Sequence, residues 1–451
     1  MRLLSRGRTR SSLSRVTFSI ALIGSLAWFG SGAASPASAR PGAAGGSIDN
    51  GSMTLAEDGL ASDIDPANNE SEYGDVIERN IDETLVRLAG STLDSFEPDL
   101  ATSWSSNQNK SVWTFHIRRG VKFHTGRCCV TADDVKYSLG RSVAAQLGGS
   151  YMLGRFFDAK NPFKQIKVID PYTIEFDLGV SQPTFISAMA QDYNSLILDA
   201  KAVQAHATKA DPYAHDWVAR HDVGTGPYTI SSWTASQQLV LTRFAGYWGG
   251  WSGAHFSKVI VSEVDDSTTR RELIEKGQAD ITFDLTPQDL NALKKEPKVR
   301  VLAPYATEIY YVVMNPYGPL ASPLARQAIS YAFDYNALIN GVMGGYAHRA
   351  YGPIPQVIKG FDPHAFHYQT DLAKAKQLLQ QAGVPAGTTL TYDFDDVFPN
   401  LTIGQILQAQ LGQLGITVKL KQLDNAAYTN IIYDADKPAD RPSFMPYQWW
   451  P

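Results

Sequence analysis

The sequence predicts an α/β protein with more than one lobe, and three observations carry that prediction. At 451 residues the chain exceeds the roughly 250–300 residues that one hydrophobic core organises. Its first two-thirds hold short runs of alternating polar and apolar residues, the period of half-buried strands. After Pro304 the pattern becomes strand, helix, helix, strand, the order of an open α/β unit.

The amino-terminal segment reads as an export signal. Arg2, Arg6, Arg8, Arg10 and Arg15 form a basic start without one acidic residue, and residues 16–30 form an apolar run too short to span a membrane. Ala37, Ser38 and Ala39 supply a small-residue cleavage site. A Sec signal peptide over residues 1–39 is expected, with a mature start near Arg40; an uncleaved anchor is the alternative. No cysteine follows the apolar run, so no lipoprotein anchor is expected. Loss of the five arginines takes the formal charge from −5 to −10, which disfavours nucleic acid and anionic lipid as partners. No further run of about 20 apolar residues marks a membrane span.

Residues 41–47 are a Gly/Ala linker, residues 53–55 a short first strand, and Ile64, Asp65 and Pro66 its terminating turn. Trp113, Phe115 and Ile117 alternate with Thr114 and His116 as a strand. Arg118, Arg119 and Gly120 turn the chain, and Val121 and Phe123 resume the apolar face as a short second strand. Thr131 with Asp134 forms a capping box, and Val135 and Leu139 follow at helical spacing. Cys128 and Cys129 are adjacent and cannot staple distant segments; a vicinal disulfide and two loop thiols are both open. Residues 166–178 form a hairpin punctuated by Asp170 and Pro171, and a helix is expected from Pro183 through Met189.

Gly224, Thr225, Gly226, Pro227 and Tyr228 precede an apolar strand over residues 238–242, and Tyr247, Trp248, Gly249 and Gly250 follow it. Residues 270–277 read as a helix stopped by Gly277. Residues 310–314 read as a strand ending at Asn315. Ser322 and Pro323 start one helix, Asp371 starts another that Gly383 stops, and residues 401–414 form a third. Residues 416–420 alternate as a strand.

The order and spacing of these segments resemble the extracytoplasmic solute-binding proteins of peptide-type ABC importers, solute-binding family 5. The resemblance rests on Ile64-Asp65-Pro66, on Glu83-Thr84-Leu85-Val86, on Pro98, Leu100, Ala101, Ser103 and Trp104, and on residues 112–141. The Gly224 and Tyr247 segments, and Arg270 with Gly277, Asp280 and Ile281, continue it. It covers residues 53–433. One departure is the loop at Cys128 and Cys129, which carries an extra residue.

The resemblance implies a two-lobed periplasmic-binding-protein fold of type II. Residues 40–82 would open lobe 1, residues 83–221 form a subdomain inserted in it, residues 222–305 complete it, and residues 306–451 form an incomplete lobe 2. It implies a monomer in the periplasm or on the cell-envelope exterior that captures a di- or oligopeptide and passes it to ABC permease subunits. Oligosaccharide, opine and nickel-chelate binders share the scaffold. No cofactor and no metal are implied. The loop after the first strand, with Asn69, Glu70, Ser71 and Tyr73, would contribute ligand contacts, as would Asn315; a solvated acidic loop and turn capping are the respective alternatives. Peptide-binding relatives carry a Trp-rich strand and then an acidic loop. Here Trp449 and Trp450 match the strand, and the family pattern continues beyond Pro451.

Catalytic motifs are missing from the sequence: no H-E-x-x-H, nucleophile elbow or phosphate loop occurs. A secreted peptide or glycan hydrolase is therefore the weaker alternative. The Gly224-Thr225-Gly226 run lacks a third glycine and reads as a turn between subdomains. His364 and His367 near Asp362 read as solvent-exposed histidines rather than metal ligands, and Asp395 with Asp396 as a solvated loop. Aromatic residues make up 11% of the chain. Tyr73, Tyr305, Tyr317, Tyr351, Tyr428, Tyr447, Trp449 and Trp450 are placed in loops, where they would stack on a ligand or fill packing space.

Overall fold

The computed structural model describes residues 4–6, 47–49, 51–69, 71–90, 92–433 and 438–449. Three sheets of four or more strands organise the described residues, beside two two-stranded pairs. The first-lobe sheet has seven strands in the order Tyr228–Thr234, Gln238–Arg243, Lys258–Glu263, Ser52–Glu57, Ile281–Thr282, Leu4–Arg6 and Val299–Val301. Ser52–Glu57 runs parallel to both Lys258–Glu263 and Ile281–Thr282. Leu4–Arg6, within the segment read as a leader, pairs antiparallel with both of its neighbours.

Alternation explains the burial. Leu239, Leu241, Val259 and Val261 turn inward with Leu55, and the helix Glu72–Ile81 adds Ile77 and Ile81 to that cluster. A second cluster joins Ala56 to Ile274 of the helix Ser267–Lys276 and to Leu290 and Leu293 of the helix Pro287–Leu293. Gly277 ends the helix Ser267–Lys276 in the left-handed region, φ 69°, where a Cβ would be costly.

The second sheet is antiparallel, in the order Ala101–Ser106, Val112–Ile117, Thr173–Asp177 and Ile166–Asp170. Its buried face, with Trp113, Phe115, Ile174 and Phe176, packs on Val135 and Leu139 of the helix Ala132–Ala144. Asp134 Oδ2 accepts from both the Thr131 amide and its hydroxyl, at 2.9 and 3.0 Å. The expected second strand over Val121 and Phe123 is a correction: only a single bridge joins Lys122 and Cys128. The loop instead folds around Arg127, which donates to Asp199 at 2.6 Å and also binds Asp134. Cys128 and Cys129 are joined as a vicinal disulfide. The helix expected from Pro183 is shorter, Phe185–Ala188, because the turn closes from the Phe185 amide onto the Gln182 carbonyl.

Two polar locks fasten this subdomain to the first lobe. Asp65, at the turn after the first strand, accepts two 2.6 Å hydrogen bonds from Arg141 on the helix Ala132–Ala144. Glu83 accepts from the Thr225 hydroxyl at 2.7 Å and from the Trp248 indole at 2.9 Å. Gly224 and Gly226 flank that threonine and press against the chain at Asn80 to Asp82.

The second-lobe sheet runs Ile309–Met314, Phe444–Trp449, Thr389–Phe394, Thr417–Gln422. Its first pair is antiparallel and its last pair parallel. The helices Pro323–Ala332, Leu372–Gln381 and Asn400–Gly412 cover it and bury Ala328, Ile329, Leu378, Leu379 and Leu407. Ser322 and Asp371 cap the first two, accepting from the amides of Leu324 and Lys374.

Candidate ligand-binding cleft

A cleft of about 1110 Å³ lies between the lobes. Strand direction places it. Ser52–Glu57, Lys258–Glu263 and Ile281–Thr282 are parallel, so their carboxyl ends share one edge, and the residues that follow them there are Asp58, Asp265 and Asp284. Ligand crevices in open α/β sheets form outside such ends. The facing wall repeats the arrangement. Asp396, Val397 and Phe398 follow Thr389–Phe394, and Gln448 lies near the end of Phe444–Trp449. Residues 303–308 cross between the lobes along one side.

Arg270 sets the first-lobe rim. Its side chain is buried, and Nη1 donates to the carbonyls of Val264 and Asp265 at 2.7 and 2.8 Å. Nη2 donates to the Asp284 carbonyl at 3.0 Å and reaches Asp58 Oδ2 at 3.4 Å. One guanidinium thus ties together the ends of three strands. Asp284, at φ 51°, holds a left-handed backbone uncommon outside glycine, with its carbonyl turned to Arg270. The Tyr73 hydroxyl donates to Asp58 Oδ1 at 3.0 Å.

The walls are aromatic and carboxylate-rich. Tyr305, Tyr310, Tyr311 and Phe398 line the cleft while remaining 51%, 42%, 40% and 43% exposed. Glu308 also lines it, and burial pushes its carboxyl up to about 7. On the second-lobe side Arg349 stacks on Tyr335, 3.2 Å from the ring centroid, and donates to the Tyr368 carbonyl. The lobes also touch directly: the Tyr346 hydroxyl donates to Asn291 Oδ1 at 2.9 Å, and Lys294 Nζ sits 4.3 Å from that ring's centroid.

Of the residues chosen from sequence, Tyr73 lines the cleft, from the first turn of a helix rather than from a loop. Asn69 and Ser71 start that helix. Asn69 Oδ1 accepts from the Ser71 amide and hydroxyl at 3.0 Å, and Ser71 Oγ accepts from the Gly74 amide at 3.1 Å. Asn315 fastens the second-lobe sheet: its amide donates to the Ser443 carbonyl and its side chain to the Arg441 carbonyl. Trp449 ends the last strand opposite Ile309. Glu70 and Trp450 lie outside the described residues. Of the residues expected in loops, Tyr428 belongs to the helix Asn425–Tyr433, and Tyr447 and Trp449 to the strand Phe444–Trp449. Asp395 is also placed differently, buried and accepting from Asn400 Nδ2 at 2.6 Å, while Asp396 is exposed.

The sequence reading missed Asp58, Asp284, Glu308 and the paired tyrosines Tyr310 and Tyr311 as cleft residues. Arg270 stood in a recognised motif, but nothing in its spacing disclosed the three strand ends it binds.

The family model of the bacterial extracellular solute-binding proteins, family 5 Middle, matches residues 95–451. A probable D,D-dipeptide-binding periplasmic protein of Escherichia coli, DdpA, is 33% identical over 75% of this chain and 63% of its own length. Heme-binding protein A of Haemophilus influenzae is 28% identical over 72% of this chain and 61% of its own length. The periplasmic binding protein DppA of Helicobacter pylori, solved in complex with the peptide STSA, superposes with a TM-score of 0.74 at 25% identity, covering 89% of this chain and 78% of that one. This chain spans less than two thirds of the length of the two curated relatives.

Proposed function

The chain belongs to the bacterial extracellular solute-binding proteins, family 5, and from that premise we propose that it captures a di- or oligopeptide between its lobes and delivers it to the permease of an ABC importer. The family is one of substrate-binding proteins rather than enzymes. The observation that carries the peptide reading is the cleft of about 1110 Å³, walled by exposed aromatic rings and set at the carboxyl ends of the strands of both lobes. A cleft of that size exceeds the roughly 300–1,000 Å³ of most small-molecule sites and leaves room for an extended chain. Rings such as Tyr310 and Tyr311 offer apolar area for side chains with little rotamer entropy to lose.

Binding and closure are one event in this mechanism. A ligand seated on Asp58, Tyr73 and Asp284 meets Tyr311 and Phe398 on the other lobe only when the lobes approach, so it favours the closed arrangement by its differential contacts. The segment over residues 303–308 is the hinge. Asn69 and Ser71 hold Tyr73 in place, and Glu70, Asn315, Trp449 and Trp450 are the further contacts we assign to the site. The division into lobe 1, its inserted subdomain over residues 83–221, and lobe 2 from residue 306 is part of the same reading.

Export by a Sec leader over residues 1–39 would place the protein in the periplasm or outside the cell envelope, and amino-terminal sequencing of the secreted protein should find a start near Arg40. Thermal-shift titration with di- and tripeptide libraries, beside cello-oligosaccharides and opines, tests the ligand class. A specific ligand at about 100 times its Kd stabilises the native state by about 2.7 kcal/mol, so melting should rise with at least one peptide. A rise with a sugar or an opine and none with any peptide would replace this reading.

A further inference from the structure

Resting on the peptide-capture reading, we propose that the cleft selects ligands carrying positive charge, such as a peptide with a lysine or arginine side chain, and that Glu308 reads that charge. Among the described residues, six carboxylates line the cleft: those of Asp58, Asp265, Asp266, Asp284, Glu308 and Asp396. Two guanidiniums oppose them, and both are engaged. Arg270 is buried against three backbone carbonyls and Asp58. Arg349 lies on the Tyr335 ring and donates to a backbone carbonyl. Among the described residues the cleft lining therefore carries a negative excess, and its low-dielectric walls focus that field.

Glu308 is the carboxyl with most to gain from a cationic guest. It is half-buried in the crossing segment, and no hydrogen bond or ion pair within the described residues satisfies it. Burial is the main cause that raises its pKa, and the neighbouring Asp284 adds to it. An ammonium or guanidinium beside it would supply the missing partner. A neutral guest would leave it unpaired, and an anionic guest such as glutathione would be repelled. The aromatic walls point the same way, because Tyr305 and Tyr310 flank Glu308 in sequence and both line the cleft. Ring faces attract cations electrostatically and do not attract anions.

The test is calorimetric titration of the full chain with the matched tripeptides Ala-Lys-Ala, Ala-Gln-Ala and Ala-Glu-Ala, with agmatine as a non-peptide cation. The lysine peptide should bind about tenfold tighter than the glutamine peptide, with the glutamate peptide weakest, and raised salt should narrow the gap. Glu308→Gln should collapse the lysine preference to about twofold. Asp396→Asn, on an exposed loop, gives a second readout if that variant folds poorly, and should reduce the preference in part. Equal binding of the three peptides, or preference for glutamate, overturns the charge inference and leaves peptide capture standing. Binding of agmatine with no tripeptide binding sinks peptide capture and keeps the charge inference. A folded protein that binds none of the four overturns the charge inference.

Discussion

Asp65 has no exposed surface, and the Arg141 side chain that grips it is 1% exposed. Burying two charges this deeply is tolerable only because each satisfies the other. Two guanidinium nitrogens donate at 2.6 Å, the His215 ring bonds the same carboxylate at 2.9 Å, and the Ala67 amide adds a fourth contact. Burial alone would raise the Asp65 pKa, yet Arg141 and His215 outweigh it and hold the group below its ordinary value. Asp65→Asn removes the counter-charge and leaves Arg141 buried without it, so urea unfolding should show a loss of about 3–5 kcal/mol. A loss below about 1 kcal/mol would mean that the pair is not desolvated as its geometry implies. The local pattern of Ile64, Asp65 and Pro66 marks a turn and nothing more. Its partner lies 76 residues on, and no local periodicity encodes a contact of that range. Arg270 repeats the lesson in the cleft: the motif was visible, but the carbonyls it binds belong to a sheet whose strand order is set only by tertiary folding.

At the scale of elements the sequence was far more legible, because strands and helices announce themselves by period and cap. Trp113, Phe115 and Ile117 are buried on one face as their alternation requires, and Ser322, Asp371 and Gly277 bound helices as their chemistry requires. Misreadings fell where a single long side chain or one turn hydrogen bond overrode the pattern, at Arg127 and at Gln182. The Gly224-Thr225-Gly226 run marks a turn in the sequence, and the structure supplies the reason for its glycines. A Cβ at Gly226 would lie 2.5 Å from the Asn80 carbonyl oxygen and 2.6 Å from the Ile81 carbonyl carbon. Both are backbone atoms and cannot swing aside, so Gly226→Ala should destabilise the fold by about 1–3 kcal/mol and loosen the Glu83 to Thr225 lock beside it. Hydrogen exchange should quicken at Ile81 to Glu83; unchanged exchange and melting would show that the contact relaxes freely. Between lobes the element that matters is the Tyr346 contact, where the second lobe packs on Leu290 and Leu293 of the first. Tyr346→Ala should release it, and small-angle scattering without ligand should then report a larger radius of gyration. An unchanged radius would locate the restraint elsewhere, in residues 303–308.

For the molecule as a whole, the buried acids of the first lobe make stability depend on pH in one direction. Burial is the main cause in each case: it raises Glu78 and Asp82 well above ordinary carboxylates, Glu83 to about 8, and Asp99 and Asp192 to about 6. Like charges add to this, Asp82 acting on Glu78 and Asp99 on Glu83. A raised folded-state pKa means that the native protein keeps protons which the unfolded chain has already released. The resulting stabilisation is complete below the unfolded values, near pH 4, and is lost as pH rises through about 6 and then about 8. The depressed Asp65 acts oppositely, but its contribution changes only below about pH 4 and does not cancel the slope above it. Scanning calorimetry should therefore find melting several degrees higher at pH 5 than at pH 8. Glu78 isolates the cause, since it is fully buried and no cation pairs with it among the described residues. Glu78→Gln keeps the shape of the protonated acid and removes its proton equilibrium. The variant should melt above the parent at pH 8, and that gap should close by pH 5. A parent curve that is flat across this range, or a variant equally destabilised at both ends of it, would show that these carboxyls find compensation when they ionise.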